Sequence, residues 1–295
     1  MNAFSQFLMQ IINGLNVGSI YALIALGYSM VYGIAKLINF AHGDIIMVGA
    51  YVCYFALVSF NLPLPIAILL SILSCVVLGI TIEKIAYKPL RNASRISLLI
   101  TAIGTSYLLQ SIFQLLFTSN PRPFPEIIKL PVLKLGAISI ASNYYVTFVV
   151  SVLIMYLLNL FVMKTKTGKA MRAVSEDQGA ALLMGIDINK TISITFGIGS
   201  MLAAIAGILY CSSYPVVSPY IGSLPGIKAF IAAVLGGIGS IPGAVLGGFI
   251  LGIIEALSKA YISSQVSDAI VFTFLIIMLI FKPSGILGKN VKEKV

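Results

Sequence analysis

Apolar runs alternate with short polar segments along the whole chain. A helix that crosses a hydrocarbon core needs about 20 mostly apolar residues. Runs of that kind occupy residues 12–34, 44–60, 64–82, 98–118, 143–163, 191–211, 226–258 and 266–281. They are continuously apolar and lack the period-two alternation of a membrane β-barrel strand. The pattern predicts an all-α fold, a polytopic transmembrane helical bundle of about eight spans (seven to nine), as one transmembrane domain over 1–295. The seventh run, FIAAVLGGIGSIPGAVLGGFILGIIEAL, is too long for one span and short for two. Two shorter pieces are expected there, forming a broken or re-entrant helix with Gly236, Gly237, Gly239, Pro242 and Gly243 at the break. Such a break is tolerated only where it is buried in protein or lines a polar cavity.

Composition agrees with this class. The chain is 59% hydrophobic and 9% charged, whereas soluble domains carry about 25% charged residues. The formal charge of +10 would suggest nucleic acid on a soluble domain. Here the basic residues sit in short loops and set orientation instead. Most of the 19 Lys and Arg fall in 35–43, 83–97, 164–190 and the tail 282–295, so those segments are expected in the cytoplasm. Residues 119–142, with prolines at 121, 123, 125 and 131, then form the longest external loop. The N-terminus lacks the basic region and cleavage site of a signal peptide. Cys53, Cys75 and Cys211 lie in apolar runs without paired spacing, so neither a disulfide framework nor a metal site is implied. Residues 18–50 and 222–254 both join small-residue helices through a polar, Gly-containing break, which would suit an inverted pair.

One polar insert interrupts this pattern: RAVSEDQGAALLMGIDINK, residues 172–190. Ser175 and Gln178 have capping-box spacing. Glu176 and Asp177 would then lie in the first turn, and Gly185 suits a left-handed helix end. The stretch predicts a short helix of about nine residues, far too short to span. One reading is a helix lying on the lipid interface. The other is a rigid knob presented to a soluble partner that drives the membrane subunit. The chain carries no phosphate-binding loop of its own: TKTGKAM lacks the upstream glycine and the Ser/Thr after Lys169. Carboxylates in or near spans are few (Asp44, Glu255, Asp268), which is thin for a proton relay. No nucleophile–base–orienter constellation is present, so no enzyme activity and no catalytic residue are expected.

Four stretches carry a resemblance: GLNVGSIYALIALGYSMVYGIAKLINFAHGDIIMVGAY, RAVSEDQGAALLMGI, PYIGSLPGIKAFIAAVLGGIGSIPGAVLGGFILGIIEAL and PSGILGK. In order and over nearly the whole chain, they resemble the LivH-type permease subunits of bacterial branched-chain amino acid ABC importers. The resemblance implies a multi-pass subunit of the bacterial inner membrane. It also implies a related second permease subunit (a heterodimer), two cytoplasmic ABC ATPases and an external solute-binding protein as partners. ATP is used by those partners, and no cofactor is implied on this chain. The 172–187 segment would be the coupling element, at Arg172, Ala173, Glu176, Asp177, Ala181, Gly185 and Ile186. Glu176-Asp177 stands where other ABC importers carry a Glu-Ala-Ala pattern.

A path for a leucine-like zwitterion needs small residues for room and a few polar groups. Asn39, His42 and Asp44 break the chain between the first two spans. Asn13, Asn16 and Ser19 recur at helical spacing beside Gly14 and Gly18, as either a pore wall or a helix-packing face. Thr101, Thr105, Ser106, Gln110 and Gln114 mark a polar face on the fourth span. His42 could equally be a helix-end residue bonded to backbone, and Asp44 a helix cap, with Lys36 near enough to pair. Urea, short amides or other amino acids are alternative cargoes, and an ion-coupled secondary transporter is the alternative machine.

Overall fold

The computed structural model describes residues 3–91, 93–135 and 138–288. Lys289, Lys292 and Lys294 of the expected cytoplasmic tail lie outside the described residues. The fold is helical throughout, with two small antiparallel β-pairings in the loops. The helices are α1 (Ala3–Ala35), α2 (His42–Val58), α3 (Leu64–Ile82), α4 (Arg95–Phe117), α5 (Ser142–Lys164), α6 (Lys166–Glu176), α7 (Gln178–Leu183), α8 (Ile188–Ser213), α9 (Ser223–Gly236), α10 (Ile241–Tyr261) and α11 (Ser267–Phe281). Among the described residues, six helices are long and apolar enough to cross a membrane. They are α1, α3 with its extension to Leu90, α4 from Ile96, α5, α8 and α10. α2, α9 and α11 are apolar but shorter.

α1 is the central mast. It begins at Ala3, well before the apolar run at residue 12, and packs against α10, α8, α9 and α5. Small residues let it approach α10 closely. A Cβ on Gly14 would stand 2.7 Å from Ile253 Cα, and one on Gly18 would stand 2.9 Å from Phe249 Cα. With little hydrophobic drive between helices inside lipid, such close backbone packing carries much of the association. Gly14 and Gly18 therefore pack against another helix.

The two short helices do not start at the ends of their neighbours. Gly27, about two turns before the end of α1, faces both His42 at the start of α2 and Gly199 of α8. Residues 36–41 thus double back along α1, and α2 begins partway along it. α9 does the same from the other end, since a Cβ on Gly43 would come within 2.7 Å of the Gly222 carbonyl oxygen. Two helix starts meet there. α8–α9 follows the same order as α1–α2, a long helix, a non-helical return and a short helix.

The break in the seventh run falls between Gly236 and Ile241. Gly237 (φ 104) ends α9 in a conformation open to glycine. Ser240 caps α10, its Oγ accepting from Gly243 N–H, and Pro242 sits in the first turn, where its missing donor costs nothing. Gly239 N–H donates to Ser29 Oγ at 2.8 Å, tying the break to α1.

Candidate transport site

The polar residues picked from the sequence fall into three clusters separated along the bundle. The first lies at the end remote from α6 and α7. Asn13 Nδ2 donates to Gln10 Oε1 (3.0 Å), Asn16 Nδ2 donates to Ser213 Oγ (3.3 Å), and Ser19 Oγ donates to Leu15 O on its own helix (2.6 Å). A cavity of about 170 Å³ opens beside them, with Tyr144, Tyr214, Glu255 and Lys259 on its other walls.

The second cluster sits where the two short helices meet. Asp44 is buried in the first turn of α2. Gln110 of α4 donates to Asp44 Oδ1 at 2.8 Å and also reaches Ser106 Oγ and Ser223 Oγ, at 3.3 and 3.5 Å. One amide thereby ties α4 to both short helices. Among the described residues no ion pair joins Lys36 to Asp44; Gln110 takes that place. Thr101 and Thr105 hydroxyls bond back to the carbonyls four residues earlier in α4. His42 is buried against Gly27, with its ring edge-on to Tyr28 at 4.7 Å.

The third cluster lies near the 164–190 segment. Asn39 Oδ1 accepts from Tyr87 Oη at 2.9 Å. Tyr87 ends a π-helical stretch (Glu83–Tyr87) that extends α3 and is followed by a 3₁₀ turn (Lys88–Leu90). Glu83, fully buried, pairs with Arg91 and accepts from Ser193 Oγ at 2.6 Å. Arg91 in turn donates to Asn189 Oδ1 at 2.7 Å.

An ion network was legible only in part. Glu255 Oε1 meets Lys228 Nζ (2.8 Å) and Lys259 Nζ (2.5 Å), and its Oε2 accepts from Tyr21 Oη (2.8 Å). Lys228 also pairs with Asp268 at 2.7 Å. Charges inside apolar helices are rare and mark function or pairing. Glu255 and Asp268 stood out in the sequence for that reason, and Lys228 carried the same signal unused.

The polar insert folds as two helices. α6 buries Gly168, Met171 and Val174 and packs against α5, α1 and α8. Ser175 is not a cap: its hydroxyl donates to Arg172 O within α6. Asp177 takes that role because the chain breaks after Glu176, and its Oδ1 accepts from Ala180 N–H at 3.0 Å to start α7. The end of α7 is a Schellman motif. Gly185 sits at φ 80, its N–H bonds Leu182 O, and Ile186 N–H bonds Ala181 O. Arg172, Glu176, Asp177 and Gly185 are exposed, Ala173 and Ile186 are half-buried, and Ala181 is buried. Leu182, Leu183 and Met184 are exposed at 61%, 90% and 82%. Beside them an open recess of about 620 Å³ is lined by Lys88, Arg91, Leu182, Ile186 and Asn189, among others.

Comparison with known proteins places this geometry. Residues 10–280 match the family model for the branched-chain amino acid transport system permease component. The chain is 43% identical to the high-affinity branched-chain amino acid transport system permease protein BraD of Pseudomonas aeruginosa, covering 98% of each chain. It is 42% identical to the LivH permease protein of Salmonella typhimurium over 99% of each. A solved structure, PsaBC from Streptococcus pneumoniae in complex with Fab, aligns over 92% of this chain and 91% of its own with a TM-score of 0.48 and 15% identity. That likeness is too distant to argue from. The two full-length relatives and the family match establish that this chain belongs to the branched-chain amino acid transport system permease family.

Proposed function

We propose that the chain is the transmembrane subunit of an ATP-driven importer of leucine, isoleucine and valine, forming part of the translocation path and coupling it to cytoplasmic ATPases. The match to permease components over residues 10–280 carries this reading. The rigidly capped α7 supports it. A short helix pinned at both ends that holds Leu182, Leu183 and Met184 out in water is costly unless a partner covers them. Docking there loses little conformational entropy, because the caps have already ordered the segment. Arg172, Glu176, Asp177 and Gly185 would rim that contact, and the recess beside Lys88 and Arg91 would receive the partner's edge.

The topology that suits these residues has nine crossings. The N-terminus is outside and residue 288 inside, with α2 and α9 as partial helices completed by the extended returns 36–41 and 214–222. The turn 237–240 then lies at the cytoplasmic side beside Gly33 and Gly288, which it contacts. The cytoplasmic assignment of 164–190 follows from the same count. Short helices that start partway across expose backbone N–H groups to the path, a recurrent device for recognising a substrate carboxylate. Asp44, Gln110 and Ser223 stand at that level and form the proposed constriction. α4 touches the rest of the chain chiefly along α2 and the π-helical extension, leaving its opposite face for a related second permease. An external solute-binding protein would deliver the cargo to the far end.

The test is uptake of radiolabelled leucine, isoleucine, valine and urea in cells with and without this gene, repeated after loss of the ATPases. Gene- and ATPase-dependent leucine uptake is expected. Uptake that survives ATPase loss but collapses with a protonophore would point to a secondary transporter. Glu176→Lys should abolish co-purification with the ATPase without lowering membrane insertion; unchanged co-purification overturns the docking assignment.

A further inference from the structure

The cavity at the end of the bundle remote from α7 is built from charged and polar side chains whose hydrogen bonds are only partly used. Asn13 and Asn16 spend their amide N–H groups on Gln10 and Ser213, while both Oδ1 atoms are buried and without a partner. Asn16 is 3% exposed. Buried acceptors of this kind are paired in nearly all folded proteins. Each wants a donor, and the adjoining space of about 170 Å³ has room for a small polar molecule.

Across the cavity stands a cation held in place. Lys259 donates one hydrogen bond to Glu255 Oε1, and its side chain is 41% exposed, so donors remain. Glu255 is largely committed to partners within the chain. Its Oε1 is shared by Lys228 and Lys259 and its Oε2 is taken by Tyr21, so it braces the site. Lys228 is further held by Asp268. The four charges, Lys228, Lys259, Glu255 and Asp268, cancel. A site with no net charge, acceptors on one wall and an ammonium on the other suits neither a plain anion nor a plain cation. Tyr214 adds a hydroxyl donor, since a phenol keeps its proton at neutral pH. Val17 and Ala256 supply apolar wall.

We propose that the cavity between Asn13, Asn16, Tyr214 and Lys259 binds the zwitterionic head of a free amino acid. The α-ammonium donates to the two Asn oxygens, and the carboxylate accepts from Lys259 and Tyr214. This deepens the import reading and rests on it, since the cavity would lie on the side from which cargo arrives.

The test uses the chain co-expressed with its partner subunits and held in lipid nanodiscs. Val17→Cys introduces a thiol at the cavity wall by a small change, and its reaction with methyl methanethiosulfonate is followed peptide by peptide. That readout separates it from Cys53, Cys75 and Cys211, all buried. Millimolar leucine should slow labelling at least fivefold. 4-Methylpentanoate, lacking the ammonium, and 3-methylbutylamine, lacking the carboxylate, should slow it less than twofold. Adding Asn16→Leu or Lys259→Met should remove the protection. Equal protection by either one-headed analogue, or none by leucine, overturns the site. Uptake measured in parallel separates the two levels. Leucine uptake without protection rejects the cavity and keeps the importer; protection without uptake keeps the cavity and rejects the importer.

Discussion

Gly43 and Gly222 bring the starts of α2 and α9 into backbone contact, with no side chain between them. A Cβ on Gly43 would stand 2.7 Å from the Gly222 carbonyl oxygen, and neither backbone can yield without moving its helix. Gly43→Ala is expected to lower stability by about 1–3 kcal/mol through overpacking. Gly104→Ala, where nothing lies within 4 Å, should be neutral or stabilise by up to about 1 kcal/mol through helix propensity. Thermal melting of both variants in the same lipid nanodiscs checks the contrast; equal melting temperatures would remove the contact from the account.

The Glu255 network predicts an asymmetry. Glu255→Leu leaves Lys228 buried with Asp268 alone and takes the acceptor from Tyr21. Stripping one partner from a buried pair costs about 3–5 kcal/mol. Lys259→Met removes a partly exposed cation and should cost less than about 1 kcal/mol. Melting temperatures again decide, and a larger loss for Lys259→Met would mean that Glu255 is not the hub.

Gly185 at φ 80 ends α7 in the left-handed region. Gly185→Ala should cost about 1–2 kcal/mol locally. Faster amide exchange confined to residues 178–186, with α8 unchanged, is the expected signature. Uniform exchange along the segment would show that the cap does not hold it.

Leu183 is 90% exposed, so Leu183→Asp should fold and melt like the parent. Its co-purification with the ATPase should fall at least tenfold. A parent-like yield of complex would show that the apolar tip of α7 is not a docking face.

The apolar runs announced most of the helices because spanning length and composition are written locally. α1 is longer than its run, because Phe4, Phe7 and Leu8 carry the helix back to Ala3 past polar Gln6 and Gln10. The starting depth of α2 was not legible. Its run begins near Asp44, but only contact with Gly27 reveals that residues 36–41 double back. The cap of the polar insert was misread because Ser175–Gln178 and Asp177–Ala180 are both acceptable spacings, and the chain break after Glu176 decides between them. Glu255 stood out in the sequence and Lys228 did not; their pairing is a tertiary fact. Of the polar residues picked as one path, Asn13 and Asn16 share a cavity and Asp44 joins Gln110. Asn39 belongs with Tyr87 at the other end.

The π-helical stretch Glu83–Tyr87 winds one additional residue into the end of α3. That surplus offsets the turn that follows by about a hundred degrees around the axis, and with the 3₁₀ turn after it Arg91 reaches back to Glu83 and across to Asn189. The bridge between the α3 extension and the head of α8 is therefore a matter of winding count as much as of charge. Shortening the stretch by a single residue would swing the guanidinium off its partners while keeping every one of them in the chain.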